Sequence, residues 1–144
     1  MTLVAFLRAR LDDDEQVARA AGGPVWRYAQ LRDDPDGRPG GYALTLGDDR
    51  PIVDIGFMDD DAMLPAESEH IARHDPARVL ADVEAKRKLI KRYELAVDIT
   101  ENHTSITPFL RGQDDGYTQA CMDLIRAAAE VYADHSDYDE SWRP

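Results

Sequence analysis

The sequence predicts an α+β protein: a three-stranded antiparallel meander packed against about four helices, in the order α-β-β-β-α-α-α. Three observations carry that class. Residues 2–21, 65–97 and 116–133 repeat their apolar positions at three and four, the spacing that lines one face of a helix. Between the first two of these, residues 25–57 hold three short alternating runs separated by glycine, proline and aspartate, the pattern of strands joined by turns. At 144 residues with 43% hydrophobic content, the chain, residues 1–144, is long enough for one domain with a real core and short for two.

The first helix covers residues 2–21, with Thr2 as its cap. Leu3, Phe6, Leu7, Leu11, Val17, Ala18 and Ala21 fall near one side, and Gly22-Gly23 ends it. The first strand, residues 25–31, puts Trp26 and Tyr28 on one face. Asp33 to Gly41 is dense in turn formers. Residues 42–46 form the second strand, Gly47 to Pro51 turns it, and residues 52–57 form the third. A meander this small needs helices on it. The first, third and last helices are expected to supply that cover.

Met58 to Leu64 is an acidic connector, and Pro65 opens the next helix. Glu67 and Glu69 lie in its first turns, where the helix dipole favours them. His70 and His74, four apart, fall on one face. Asp75-Pro76 then marks a corner: proline disfavours helical geometry in the residue before it. Asp75 can cap a new helix with Pro76 at its first position. That third helix carries Val79, Leu80, Val83, Leu89, Ile90, Tyr93 and Val97 as one stripe, interrupted near Lys86 and Arg87. Residues 100–113 lack a pattern. Residues 116–133 give the cleanest helix, with Tyr117, Cys121, Leu124, Ala128, Val131 and Tyr132 recurring at three or four. Residues 135–144 form a C-terminal tail expected to dock through Trp142.

A net charge of −12 opposes contact with nucleic acid or anionic membrane. Residues 73–92 run against that trend, with seven basic side chains to three acidic. No apolar run reaches the length of a membrane span. The N-terminus lacks the basic leader of a secretory signal, and Cys121 is alone, which excludes an internal disulfide and a cysteine-rich metal site. A cytoplasmic location is the expectation.

Two candidate sites emerge. His70 and His74 can share one divalent metal ion, with Glu67, Glu69, the acids of residues 12–15 or His135 as further ligands. That would make the protein a metal-dependent enzyme, such as a hydrolase. The competing reading packs His70 at a helix interface and leaves His74 at a helix C-terminus; no catalytic glutamate accompanies the pair in a metallohydrolase motif. The second site is for a partner. Lys86, Arg87 and Lys91 could meet an acidic protein, or pair with the chain's own acids, and Trp142 could anchor an interface or dock internally. Nucleophilic catalysis finds no support: Cys121 lies on an apolar stripe, and neither a phosphate loop nor a dinucleotide fingerprint is present. The leading reading is a small acidic cytoplasmic regulatory or protein-interaction module without enzymatic activity and without an organic cofactor. The metal-dependent enzyme is the alternative.

The segment Glu69-His-Ile-Ala-Arg-His-Asp-Pro-Ala-Arg-Val-Leu80 followed by Glu84-Ala-Lys-Arg87, together with Phe6-Leu-Arg-Ala-Arg-Leu-Asp12, Tyr132-Ala-Asp-His135 and Trp142-Arg-Pro144, resembles an uncharacterised family of small actinobacterial and actinophage proteins. The resemblance spans both ends and the middle of the chain. It implies a source and a compartment, and it carries no activity or catalytic residue.

Overall fold

The structure is a computed structural model that describes residues 1–21, 23, 25–30, 42–46, 51–55, 65–102 and 107–143. Its class is mixed helix and sheet, with four α-helices among the described residues. In chain order these are α1 (Leu3–Ala20), β1 (Trp26–Gln30), β2 (Tyr42–Leu46), β3 (Pro51–Ile55), α2 (Pro65–Arg73), α3 (Pro76–Asn102) and α4 (Pro108–Glu130), followed by one 3₁₀ turn, Glu140–Trp142. The expected turns at residues 33–41 and 47–50, and the connector at 58–64, lie outside the described residues. The chain divides into two compact units: residues 1–13 with 82–144, and residues 14–81.

In the first unit, α1 begins as the sequence predicts. The Thr2 hydroxyl accepts from the Ala5 N–H at 3.2 Å, satisfying a donor that no helical carbonyl can reach. Phe6, Leu7 and Leu11 are completely buried. From α3 the same unit buries Val83, Ile90 and Ala96, and from α4 it buries Cys121, Ile125 and Ala129. Ala96 lets the two helices approach closely: the Thr118 hydroxyl reaches the Ala96 carbonyl at 3.2 Å and the Thr100 hydroxyl at 2.9 Å.

Two predicted boundaries are corrected here. Within the stretch 100–113, which lacks a pattern in the sequence, α3 runs to Asn102 and α4 starts at Pro108, not at Gly116. Thr107 caps α4 by accepting from the Leu110 N–H at 3.4 Å, and Pro108 stands at the first helical position, where its missing N–H costs nothing.

In the second unit, β1 and β2 pair antiparallel with Trp26 opposite Leu46 and Gln30 opposite Tyr42. β3 pairs with the other edge of β2, with an irregularity between Leu44 and Thr45. Pro51 opens this edge strand, a place where proline removes no needed ladder bond. β2 buries Ala43, Leu44 and Thr45 in succession. Successive strand residues face opposite ways, so the central strand is covered on both faces. The helix found against β1 is α2, a contact the sequence reading did not include; Ser68 of α2 is fully buried. Gly23 sits at φ +72°, and a Cβ there would come within 2.7 Å of Leu46 Cδ2. Only glycine takes up that backbone at no steric penalty.

α1 also corrects a detail. Ala18 is buried, while Val17 is 70% exposed. Ala18 follows Leu11 by two helical turns, whereas Val17 is rotated about 100° off that row.

Candidate functional site

The corner between α2 and α3 forms as its residues dictate. The His74 N–H bonds to the Ile71 carbonyl at 3.0 Å, closing α2 with a tight turn. The Asp75 carboxylate accepts from the Arg78 N–H at 2.8 Å and caps α3. His70 and His74 stack with ring centroids 4.3 Å apart, as their spacing requires. His74 Nδ1 lies 2.9 Å from the His70 carbonyl oxygen. A carbonyl only accepts, so in the neutral ring the proton sits on Nδ1 and Nε2 keeps the lone pair.

The expected metal ligands are His70, His74, His135 and Glu67. Among the described residues, no three His, Cys, Asp or Glu side chains gather where they could hold a metal ion. Both nitrogens of His135 are engaged within the first unit: Nε2 faces Arg10 Nη1, and Nδ1 accepts from the Asp137 N–H at 3.1 Å. What remains at the corner is a two-imidazole pair. His74 also lines a cleft of about 280 Å³ in the second unit, with Val17, Ala18, Trp26, Pro76 and Val79 among its walls.

The basic stretch is split by its own packing. Lys86 and Arg87 occupy the gap in the α3 stripe, one helical turn from buried Val83 and Ile90. Lys86 pairs with Asp82 at 2.7 Å and lies over the Tyr132 ring, 5.5 Å from its centroid. Arg87 pairs with Asp12 at 2.5 Å. These stems behave as amphipathic side chains do, burying carbon and keeping charge at the rim. Lys91 is exposed. It shares a cavity of about 170 Å³ with Arg8, Asp12, Arg87 and Ile90. Arg8 is already clamped by both oxygens of Glu94 at 2.8 Å.

Trp142 lies 5.1 Å from Phe6 between ring centroids, and Tyr138 meets both rings edge-on at 5.8 and 5.6 Å. Arg10 stands over the Phe6 ring at 5.8 Å and pairs with Asp13 at 3.0 Å. The tail is held by the 3₁₀ turn: the Asp139 carboxylate accepts from the Ser141 N–H at 2.9 Å. That bond holds the Asp139 carboxyl below its ordinary value of 3.8, because the donated N–H favours the anion.

One feature escaped the sequence reading. Tyr117, Leu124 and Val131 belong to the stripe assigned to the core, yet α4 turns them outward with Leu110. The buried row of α4 is Cys121, Ile125 and Ala129. The exposed row lies roughly a quarter of a turn away from it. The available signal was its period of seven, Leu110, Tyr117, Leu124 and Val131, against the spacing of four in the buried row.

The fold class is thus a mixed α and β protein with a docked aromatic tail. Residues 1–144 match the family described as Family of unknown function (DUF6221), and the chain belongs to that family. No curated protein and no solved structure matches it. Among the described residues, no helix is long and apolar enough to cross a membrane.

Proposed function

We propose that the protein is a small acidic regulatory or interaction module without enzymatic activity, which engages a protein partner on the outer face of α4. The exposed row Leu110, Tyr117, Leu124 and Val131 carries this reading. α4 already has a buried row, and this second apolar row stands exposed among the described residues. Fully burying a side chain of this kind contributes about 1.5–3 kcal/mol, and a partner would recover the part that belongs to the surface still exposed. Lys91 adds an exposed cation on α3, whereas Lys86, Arg87 and Trp142 serve the unit's own packing first. The net charge of −12 disfavours nucleic acid and anionic membranes as partners. The cytoplasm of an actinobacterium, or of a host carrying its phage, is the setting that the segment resemblance and the single cysteine support.

The test is in-cell photo-crosslinking with the reactive group placed at Leu124 in one version and at Gln119 in another. Gln119 is exposed on the other side of α4. Adducts at 124 and none at 119 are expected. Equal labelling at the two positions, or none at 124, would overturn the reading.

A further inference from the structure

We infer that His70 and His74 form a two-imidazole chelate for a divalent transition-metal ion of square-planar or tetragonal preference, Cu(II) or Ni(II), at the corner between α2 and α3. The inference is independent of the α4 reading above. Both residues are exposed, so burial in the core does not account for the pair. His74 Nδ1 donates to the His70 carbonyl at 2.9 Å. That bond fixes the tautomer and leaves the Nε2 lone pair for a ligand. It is also the arrangement of metal-binding histidines, whose second ring nitrogen donates to a backbone carbonyl or a carboxylate. Among the described residues, no hydrogen bond engages the His70 ring, which meets the His74 ring instead. Two donors held on one helical face lose little freedom when an ion joins them.

The spacing of the rings selects the ion. A metal–nitrogen bond of about 2.0–2.1 Å along the lone pair puts the ion about 3.2 Å from the centre of each imidazole. Ring centres 4.3 Å apart then subtend about 85° at the ion. Neighbouring positions of a square-planar or tetragonal ion need a right angle, the preference of Cu(II) and Ni(II) with nitrogen and oxygen donors. A tetrahedral Zn(II) would instead set the centres about 5.2 Å apart. Among the described residues no third His, Cys, Asp or Glu joins the pair, so water fills the remaining positions. A site with so few protein donors favours copper, which stands highest in the affinity order of the divalent ions. The surroundings admit a dication. His74 follows Arg73, the last residue of α2, at the end where the helix dipole favours positive charge. Arg73 itself is paired with Glu69 at 2.5 Å.

Titration of the tag-free full chain with copper sulfate, followed by calorimetry and pulsed electron paramagnetic resonance, tests this. Wild type is expected to bind Cu(II) stoichiometrically, with the echo modulation of two imidazoles. His70→Ala should weaken binding roughly 100-fold, because the chelate is lost, and leave one imidazole on the ion. Its helical circular dichroism should be unchanged, since the residue is exposed. Should the variant fail to fold, paramagnetic broadening on wild type serves: the amide signals of residues 70–75 should vanish first as copper is added. Absence of stoichiometric binding, a single imidazole in wild type, undiminished affinity in folded His70→Ala, or broadening that begins elsewhere would overturn the inference.

Discussion

Phe6 meets four other rings in the first unit. It touches Tyr132, His135, Tyr138 and Trp142 and is completely buried. Phe6→Ala is therefore expected to cost about 3–5 kcal/mol, read by chemical denaturation, and to make residues 135–143 the first site of proteolytic cleavage. Asp139 acts at the same cluster with a defined sign. Its folded-state carboxyl titrates below 3.8, so its contribution to stability is fully present above its unfolded value and is lost only as pH falls through the lower folded value. The Ser141 amide signal in an NMR titration should stay constant between pH 5 and 8 and shift with a midpoint under 3.8; Asp139→Asn should abolish the shift. The docking of Trp142 was expected from the sequence, but its partners were not readable in advance. Arg10 and His135 are 125 residues apart, and periodicity carries no information at that range. The His70–His74 stack was readable, because it depends only on helical rise.

At the scale of elements, local backbone chemistry was the reliable guide. Thr2, Asp75 and Pro76 define helix ends through groups within four residues of each other, and each behaves as its chemistry predicts. The start of α4 carried the same kind of signal in Thr107-Pro108, but Gly112 and Gly116 weaken the helical pattern after it. Neither glycine is needed: a Cβ at either position meets nothing within 4 Å. Gly112→Ala and Gly116→Ala should each raise stability by about 0.5–1 kcal/mol, seen as a higher unfolding midpoint in urea with an unchanged slope. The exposed apolar row of α4 was hidden for another reason. Its outer and inner apolar rows are close enough around the helix that a count of apolar positions merges them into one broad stripe. Burial alone separates Leu124 from Ile125.

For the whole molecule, charge is the term that sequence reports directly and structure redistributes. The formal charge is −12, while ion pairs such as Arg8–Glu94 and Arg87–Asp12 draw cations toward particular carboxylates. Self-repulsion among the remaining acids destabilises the compact state. Raising sodium chloride from near zero to physiological strength, where screening acts over about 8 Å, should therefore stabilise the protein. A gain of about 1 kcal/mol, roughly 2–4 °C in the thermal midpoint, is expected by scanning calorimetry; a fall would mean that the exposed pairs outweigh the repulsion.

The first unit draws residues 1–13 together with residues 82–144. A ribosome makes these stretches far apart in time. Phe6, Leu7 and Leu11 emerge early and stay without their partners until the aromatic tail has been translated, whereas residues 14–81 can settle in sequence order. Synthesis of this protein thus imposes a waiting period on the greasy stretch around Phe6, Leu7 and Leu11, and that nascent stretch is where a chaperone would be recruited.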